Sequence, residues 1–478
     1  MRKVYIPHFV TLFAKVLLFF VVFQGSCSAS NNIMPPLESA IPFIGVLLSI
    51  TLCPLLVPRL WHKYENLVLA LWVVLSVGLC LFAIGAASTT SIITNVMIKE
   101  YIPFVTLIGT LFTISNGINV QINRAGTTKV NLLLLTIGEL LANFIGTTGT
   151  AILLLRPLLH ANRHRKYTVH TVIFFIFLVS NIGGCLLPFG DPPLFLGYLK
   201  GIDFFWTAKH MLPFFLASSA ILLAVYGAID YFLMRKEDLG GSATELGVTQ
   251  HRPVLKISGL FNIFLMFFIV ILVAGTGLLP KKTVFTIFDV NIQYKNLVRD
   301  IGLLIIAAVS IMRERHKTGQ AGQKHEISWG PLNEVIRYFI AIFITMAPVA
   351  LMLKKGHEFF APIRDMLSQS EHVAFLYFWF VSPFSALLDN APTYLIFFKM
   401  AGGDAQILMH EGAKILTAIS AGSVFMGAMT YIGNAPNFMI RSIAKQHGVA
   451  MPSFLGYMVW SSLILVPLFA ALSYLFLY

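Results

Sequence analysis

The sequence predicts an all-α polytopic membrane protein built from two inverted-topology repeats, each with a re-entrant helical hairpin and a broken transmembrane helix. Two observations lead to this fold class. First, 57% of the residues are hydrophobic and 12% are charged, which is about half the charged share of a soluble domain. The mean hydropathy is +0.79. Second, two helix-breaking motifs recur at one fixed separation in the two halves of the chain.

The recurring motifs are clusters of small, polar and helix-breaking residues inside long apolar runs. Gly190-Asp191-Pro192-Pro193 has its counterpart in Gly433-Asn434-Ala435-Pro436. The same shift aligns residues 144–150 (Phe-Ile-Gly-Thr-Thr-Gly-Thr) with residues 387–393 (Leu-Leu-Asp-Asn-Ala-Pro-Thr). A proline removes a backbone donor and disfavours helix at the residue before it. Each half is therefore predicted to contain two helix interruptions at membrane depth.

The positions of basic loops predict the hairpins. Arg124 and Lys129 precede the apolar segment 130–160, and the basic loop 162–166 follows it. Because basic loops favour the cytoplasm, this segment cannot cross once. It must enter, break at its Gly-Thr-Thr-Gly cluster and leave on the same side, which is tolerated where protein or water covers the tip. The matching spans of the two halves are an odd number of crossings apart, so the second hairpin, 373–400, enters from outside.

These features divide the chain into segments. In order, we predict 1–30 as a signal peptide or first helix, 31–95 as N-terminal scaffold helices, 96–234 as repeat 1 (hairpin 130–160, broken helix 168–205), 235–256 as a linker, 257–333 as scaffold helices, and 334–478 as repeat 2 (hairpin 373–400, broken helix 412–440). The first segment has the basic start, apolar run and small-residue end of a signal peptide. A retained first helix is the alternative.

The breaks predict an ion site. Half-helix ends and free carbonyls at such breaks face a common site near the middle of the membrane, and carboxylate, amide and hydroxyl oxygens suit Na⁺. Asp191 and Asp389 lie within breaks, and Glu139 lies in the first arm of hairpin one. The predicted ion- or substrate-binding residues are Asp191 and Asp389 as Na⁺ ligands, with Glu139, Asn143, Thr147, Thr148, Thr150, Asn181, Asn390, Thr393 and Asn434.

The chemistry of these residues predicts a Na⁺/H⁺ antiporter that works by alternating access. A carboxylate at membrane depth is costly unless a proton or a cation neutralises it, so protons and Na⁺ compete for the same groups. Each residue also has a structural alternative. An aspartate at a break commonly caps the half-helix that follows. For Asn434 the alternative to ion binding is a hydrogen bond to backbone groups, and for Glu139 it is pairing with a neighbouring helix. We expect no cofactor besides the transported Na⁺ and H⁺.

The motifs resemble those of the ion transporter superfamily, in its arsenite-permease and sodium/proton-antiporter (ArsB/NhaD) branch. The resemblance rests on the run 180–193 (Ser-Asn-Ile-Gly-Gly to Gly-Asp-Pro-Pro) and on 388–393 (Leu-Asp-Asn-Ala-Pro-Thr), and it covers the chain from about residue 38. It implies a scaffold part and a moving part, a homodimer, Na⁺ at the hairpin tips and a multi-pass location in a bacterial inner membrane. Dicarboxylate carriers of the superfamily have Ser-Asn-Thr at these places, and this chain does not.

Other functions fit the sequence less well. A cation-coupled symporter of a di- or tricarboxylate such as citrate is the first alternative, but it needs a donor-rich cavity, and no arginine lies within the four breaks. Arg156 and Lys399 share a repeat position and either bind an anion or snorkel at the end of a hairpin arm. The net charge of +13 lies in short loops, so no nucleic-acid partner is expected. No nucleotide or hydrolase motif is present, so the second alternative, a membrane enzyme or structural subunit, is disfavoured.

Overall fold

The computed structural model describes residues 34–122, 124–238, 255–287, 290–321, 329–368 and 370–478. The predicted leader, 1–30, and most of the predicted linker, 235–256, lie outside the described residues. Within them the chain is almost entirely helical. The predicted all-α fold is confirmed.

The helices follow one another with short connections. In chain order the α-helices are α1 (Ile41–Leu56), α2 (Pro58–Val96), α3 (Ile102–Asn116), α4 (Thr128–Ala161), α5 (Val169–Leu178), α6 (Pro192–Lys200), α7 (Trp206–Asp238), α8 (Leu260–Gly277), α9 (Tyr294–Ala321), α10 (Gly330–Lys354), α11 (Ala361–Ser368), α12 (Val373–Leu387), α13 (Asn390–Met400), α14 (Ala405–His410), α15 (Ala413–Met426), α16 (Ala435–Gln446) and α17 (Phe454–Leu477). Four short strands form two two-stranded sheets: β1 (Asn119–Ile122) with β2 (Leu255–Ser258), and β3 (Thr283–Ile287) with β4 (Val290–Gln293).

Within the described residues, 7 helical segments are long and apolar enough to cross a membrane. The longest, Pro58–Asn116, holds two predicted crossings and is interrupted at Gly85, whose φ of 78° places it in the left-handed region. Shorter apolar helices occupy the hairpin and broken-helix regions. Helix α9, in the predicted scaffold segment 257–333, is not among the seven, because charged residues at both ends leave it only a short apolar run. The protein is a polytopic membrane protein.

The chain forms two compact units. The described residues of the first unit belong to residues 1–102, 283–292 and 337–361. Its helices α2 and α10 are joined by an ion pair between Arg337 and Glu65 (Nη1 to Oε1, 2.7 Å) and by Trp61, whose Nε1 donates to the Tyr338 hydroxyl at 3.3 Å. The second unit takes residues 103–282, 293–336 and 362–478. It contains both hairpins, both broken helices and every predicted site residue.

Helix α4 is the first hairpin. At Gly146 the backbone takes φ 76° and ψ 156°, outside the helical range, which glycine adopts without a steric penalty. The two ends of α4 then meet, because the side chains of Asn131 and Asn162 exchange two hydrogen bonds of 2.9 and 2.8 Å. A continuous helix would hold them about 46 Å apart at 1.5 Å per residue. The two arms therefore run side by side.

The second hairpin consists of helices α12 and α13. The chain leaves the helical conformation at Leu388 (φ −102°, ψ −117°) and at Asp389 (φ −133°, ψ 146°). The ring centroids of Phe384 and Phe397, one on each arm, lie 5.6 Å apart. The arms fold back on each other as in the first hairpin.

The two broken helices have matching interruptions. Helix α5 ends at Leu178 and α6 begins at Pro192, while α15 ends at Met426 and α16 begins at Ala435. In each break two glycine backbones touch. A Cβ on Gly190 would lie 2.2 Å from the carbonyl oxygen of Gly184, and one on Gly433 would lie 2.7 Å from that of Gly427. A side chain at any of these glycines would push the two backbone segments apart. The glycines therefore fix the shape of both breaks.

A buried ion cluster joins the base of the first hairpin to helix α7. Arg165 donates from Nη1 to Asp230 at 2.7 Å and from Nε to Glu237 at 3.1 Å. His170 Nε2 lies 2.8 Å from the same oxygen of Asp230. Burial alone would lower the pKa of Arg165, but the two carboxylates outweigh it and raise that pKa. The guanidinium is therefore charged throughout the accessible pH range.

Candidate functional site

The four breaks meet at the carboxylate of Asp191. This residue ends the first break and directly precedes helix α6, and it is 1% exposed. Its Oδ1 accepts hydrogen bonds from Thr147 Oγ1 at 3.1 Å and from Asn434 Nδ2 at 3.0 Å. Its Oδ2 accepts one from Asn390 Nδ2. One buried carboxylate thus contacts both hairpin tips and the other broken helix.

The four residues form two pairs of repeat equivalents. Asp191 and Asn434 are 243 residues apart and bond to each other. Thr147 and Asn390 have the same separation in sequence, occupy equivalent hairpin tips and both donate to Asp191. The site therefore lies where the two repeats meet, and the two halves differ in it mainly by exchanging a carboxylate for an amide.

A second layer of amides holds this cluster in place. Asn434 Nδ2 also lies within reach of the Ser180 carbonyl (3.0 Å) and of Asn181 Oδ1 (3.3 Å). Asn437 Oδ1 accepts from Ser180 Oγ and Asn181 Nδ2, both at 2.9 Å, while its Nδ2 donates to the carbonyls of Gly427 and Thr430. Backbone and side chains of the two breaks are thus tied directly to each other.

Hydrogen-bond donors and helix ends surround the Asp191 carboxylate, while burial opposes its negative charge. In the described part of the chain, neither Lys nor Arg is among the hydrogen-bond partners of Asp191. Helices α6, α13 and α16 all begin within the cluster, and the N-terminal end of a helix stabilises an anion. Three donors and these helix ends hold the carboxylate, yet its charge is still buried.

Asp389 lies beside the cluster but has a different contact. Its Oδ1 accepts from the backbone nitrogen of Ala391 at 3.1 Å, and its carbonyl accepts from Thr393 Oγ1 at 2.7 Å. It is half-buried and near enough to Asp191 to repel its charge. Asp389 therefore caps helix α13, and Thr393, one turn into the helix, bonds back to the Asp389 carbonyl; neither side chain is hydrogen-bonded to Asp191. Their role as ion ligands stays a prediction.

The remaining predicted residues spread along the first hairpin. Asn143 Oδ1 accepts from the backbone nitrogen of Leu186 at 2.8 Å and so ties the first arm to the first break. Thr150 is fully buried, and its hydroxyl has no hydrogen-bond partner among the described residues. Thr148 is half-buried, and the Glu139 carboxyl group faces Ser219 of helix α7.

A cavity of about 60 Å³ opens onto one side of the cluster. Asp191, Thr147 and Thr148 supply its polar wall, and helix α3 supplies an apolar wall that includes Leu107 and Leu111. Its size admits an ion with a few water molecules. The carboxylate is therefore reachable through a narrow, mostly apolar space.

Two residues of the second layer had no assigned role in the sequence analysis. Ser180 directly precedes Asn181, and Asn437 follows Asn434 by about one helical turn. Such spacing places Asn437 on the same face of helix α16 as Asn434. This periodicity is the sequence signal that could have identified Asn437. Ser180 is distinguished in the sequence only by its position within the first break.

The comparison with protein families decides the class of the protein. A family model described as "Putative citrate transport" (CitMHS_2) matches residues 32–477. The chain belongs to this family. No curated protein matches the chain.

Family membership makes the chain a multi-pass membrane transporter. The match covers both repeats and every residue of the Asp191 cluster. It does not distinguish exchange from symport, and it does not name the coupling ion. The narrower resemblance to the ArsB/NhaD branch stays a prediction.

Proposed function

We propose that this transporter is a secondary active antiporter that exchanges Na⁺ for H⁺ through Asp191. The observation that carries the proposal is a fully buried carboxylate, contacted from both hairpin tips and from the opposite break, with no side-chain cation bonded to it among the described residues. A buried carboxylate without a counter-charge requires a proton or a cation. Both are ions that an antiporter moves.

The side chains around Asp191 supply ligands for either ion. The three hydrogen bonds that Asp191 accepts suit an ionised carboxylate. A bound proton replaces one of them with a donated bond. A bound Na⁺ requires oxygen ligands, and Asn390 Oδ1 is a buried oxygen without a partner among the described residues. Thr147 Oγ1 and the Asn434 amide provide further oxygens after rotation, so one site takes either ion but not both.

The position of the site between the repeats supports alternating access. Asp191 and Thr147 belong to the first repeat, and Asn390 and Asn434 belong to the second. Movement of one set of breaks against the other changes the side from which the carboxylate is reached, as in transporters built from inverted repeats. Na⁺ and H⁺ are exchanged because the site is costly to reorient across the membrane while Asp191 is charged and holds no ion.

A citrate symporter is the second candidate, and the family description favours it. A citrate anion needs cationic or donor groups, and the donors of the cluster are already used by Asp191. The second break does have a nearby cation, because the Arg441 guanidinium lies 4.7 Å from the centre of the Tyr431 ring. Transport measurements with both substrates therefore decide between the two functions.

Dye-quench proton flux in inverted vesicles tests the proposal. NaCl, LiCl, KCl and sodium-free citrate are added in turn to wild type, to Asp191→Asn and to Asp203→Asn, a matched control at an exposed aspartate of the same repeat. We expect Na⁺ or Li⁺ to dequench the dye in wild type and in Asp203→Asn but not in Asp191→Asn. A citrate response that survives in Asp191→Asn, without any cation response, would instead establish the symporter.

A further inference from the structure

Glu139 is a second buried carboxyl group that the Asp191 cluster does not use. It lies in the first arm of the first hairpin and is 3% exposed. Its Oε2 is fully buried and has no hydrogen-bond partner among the described residues. Asp191 has three donors, whereas the one donor that faces the Glu139 carboxyl group is the hydroxyl of Ser219. The two carboxyl groups therefore have different environments within one membrane domain.

The groups around Glu139 come from helix α7 and from the first break. Ser219 of α7 faces the carboxyl group and is 5% exposed, and its hydroxyl has no other hydrogen-bond partner among the described residues. The backbone of Gly183 packs on Glu139 so closely that a Cβ there would lie 2.7 Å from its Cα. Cys185, fully buried in the same break, lies within electrostatic reach of both Glu139 and Asp191. The titratable neighbours are thus a thiol and the site carboxylate.

These surroundings fit a proton better than a metal ion. An ionised carboxylate there would have no counter-charge among the described residues and only the hydroxyl of Ser219 as a donor, so burial disfavours its charged form. Na⁺ requires several oxygen ligands, and the side chain that faces Glu139 offers the one hydroxyl of Ser219. A proton on Glu139 removes the charge and supplies a donor for that hydroxyl.

We propose that Glu139, opposite Ser219, is a second proton-binding carboxyl group, protonated in the conformation described here and deprotonated when the site opens to the other side, so that each transport cycle moves two protons against one cation. The inference rests on the proposed function and adds to it the stoichiometry. Gly183, which packs on Glu139, belongs to the break that ends at Asp191, and Cys185 of the same break is within electrostatic reach of both carboxyl groups. Exchange of two protons for one Na⁺ moves net charge and responds to membrane potential.

Two measurements on the purified, full-length protein test this. In proteoliposomes with the potential clamped to zero by valinomycin and K⁺, a one-unit pH gradient should balance a Na⁺ gradient of about 100-fold in wild type and about 10-fold in Glu139→Gln. Glu139→Asp, which keeps a titratable group, should retain the wild-type value. Infrared spectroscopy at neutral pH should show a protonated-carboxyl band in wild type that is absent in Glu139→Gln, with gel filtration confirming the folded state of each variant.

The outcomes separate the two proposals. Unchanged balance gradients in Glu139→Gln would overturn the second proton and leave the antiporter intact. An infrared band that is the same in Glu139→Gln would also overturn it, because Glu139 would then be ionised at rest. The absence of cation-driven flux in wild type would contradict the antiporter and, because the second proton rests on it, would contradict the second proton as well.

Discussion

Asp191 and Asn434, equivalent residues of the two repeats, are joined by a hydrogen bond of 3.0 Å between Oδ1 and Nδ2. An exact repeat would place two carboxylates here and force them to share a proton or repel each other. The amide in the second repeat removes one charge and donates to the other. This single difference converts a symmetric junction into a site with one negative charge.

Asn434 and Asp191 are therefore not interchangeable. The Asn434 amide also faces the Ser180 carbonyl and Asn181 Oδ1, so a carboxylate at 434 would meet acceptors instead of donors. We expect Asn434→Asp to lose exchange and to cost about 3–5 kcal/mol, the usual penalty of an uncompensated buried charge. Thermal unfolding in detergent and vesicle flux measure both effects.

The double variant Asp191→Asn/Asn434→Asp is the sharper form of this test. It preserves composition and places the carboxylate on the opposite repeat. Because the donors of Thr147 and Asn390 converge on residue 191, we expect no recovery of exchange. Recovery to near the wild-type rate would show that the cluster is functionally symmetric, against this account.

Glycine at position 190 determines the shape of the first break. A Cβ there would lie 2.2 Å from the backbone oxygen of Gly184, so any side chain at position 190 would force the backbone of the break to move. We expect Gly190→Ala to lower stability by about 1–3 kcal/mol, as overpacking does, and to lower transport with it. Gly275→Ala is the matched control, because its Cβ would meet nothing within 4 Å. Equal melting temperatures for the two variants would exclude a role for the close backbone contact.

The Arg165 cluster stabilises the base of the first hairpin. Arg165→Ala leaves the buried carboxylate of Asp230 without its ion-pair partner, and we expect a loss of roughly 3–5 kcal/mol. Arg165→Ala/Asp230→Asn removes both charges and should recover much of that loss. Denaturation of the four proteins of this double-mutant cycle measures the coupling, and additive losses would mean that the ion pair is not the cause.

The pH dependence of this contribution has a definite sign. The pKa of Arg165 is raised in the folded protein, so its contribution is complete below the ordinary arginine pKa and is lost only above it. The difference in Tm between wild type and Arg165→Ala should therefore stay constant from about pH 7 to about pH 10. A difference that shrinks as the pH rises in this window would contradict the assignment.

The inverted arrangement of the repeats predicts opposite sides for two loops. Lys166 follows the first hairpin and Gln406 follows the second, and both are exposed. In a background without native cysteines, we expect a membrane-impermeant thiol reagent to label Gln406→Cys from outside the cell and Lys166→Cys only in inverted vesicles. Labelling of both from one side would mean that the repeats are parallel.

The interruptions were predictable because glycine and proline act on the backbone locally. Gly146, Pro192 and Ala435 begin or end their segments where the motifs indicate, and helices α12 and α13 together run from Val373 to Met400. The meeting of Asp191 with Asn434 followed from the repeat, since equivalent breaks face one another.

Other features depend on contacts that sequence spacing does not reveal. Asp389 has the residue type of an ion ligand and of a helix cap, and only the position of the Ala391 nitrogen decides that it caps. The ion cluster joins Arg165 to Asp230 across 65 residues, which requires the packing of α7 against the hairpin base. In the sequence, Glu139 and Asp191 are both acidic residues of the first repeat. The structure distinguishes them by the hydrogen-bond donors around each carboxyl group.

Binding of radioactive sodium to the purified protein, measured as a function of pH, tests the central claim most directly. If a proton and Na⁺ compete for Asp191, the apparent Kd of wild type should rise about tenfold for each unit that the pH falls below the midpoint. Asp191→Asn should bind no Na⁺ above background, and Asp203→Asn should match wild type. Sodium binding that is independent of pH, or that persists in Asp191→Asn, would contradict the account.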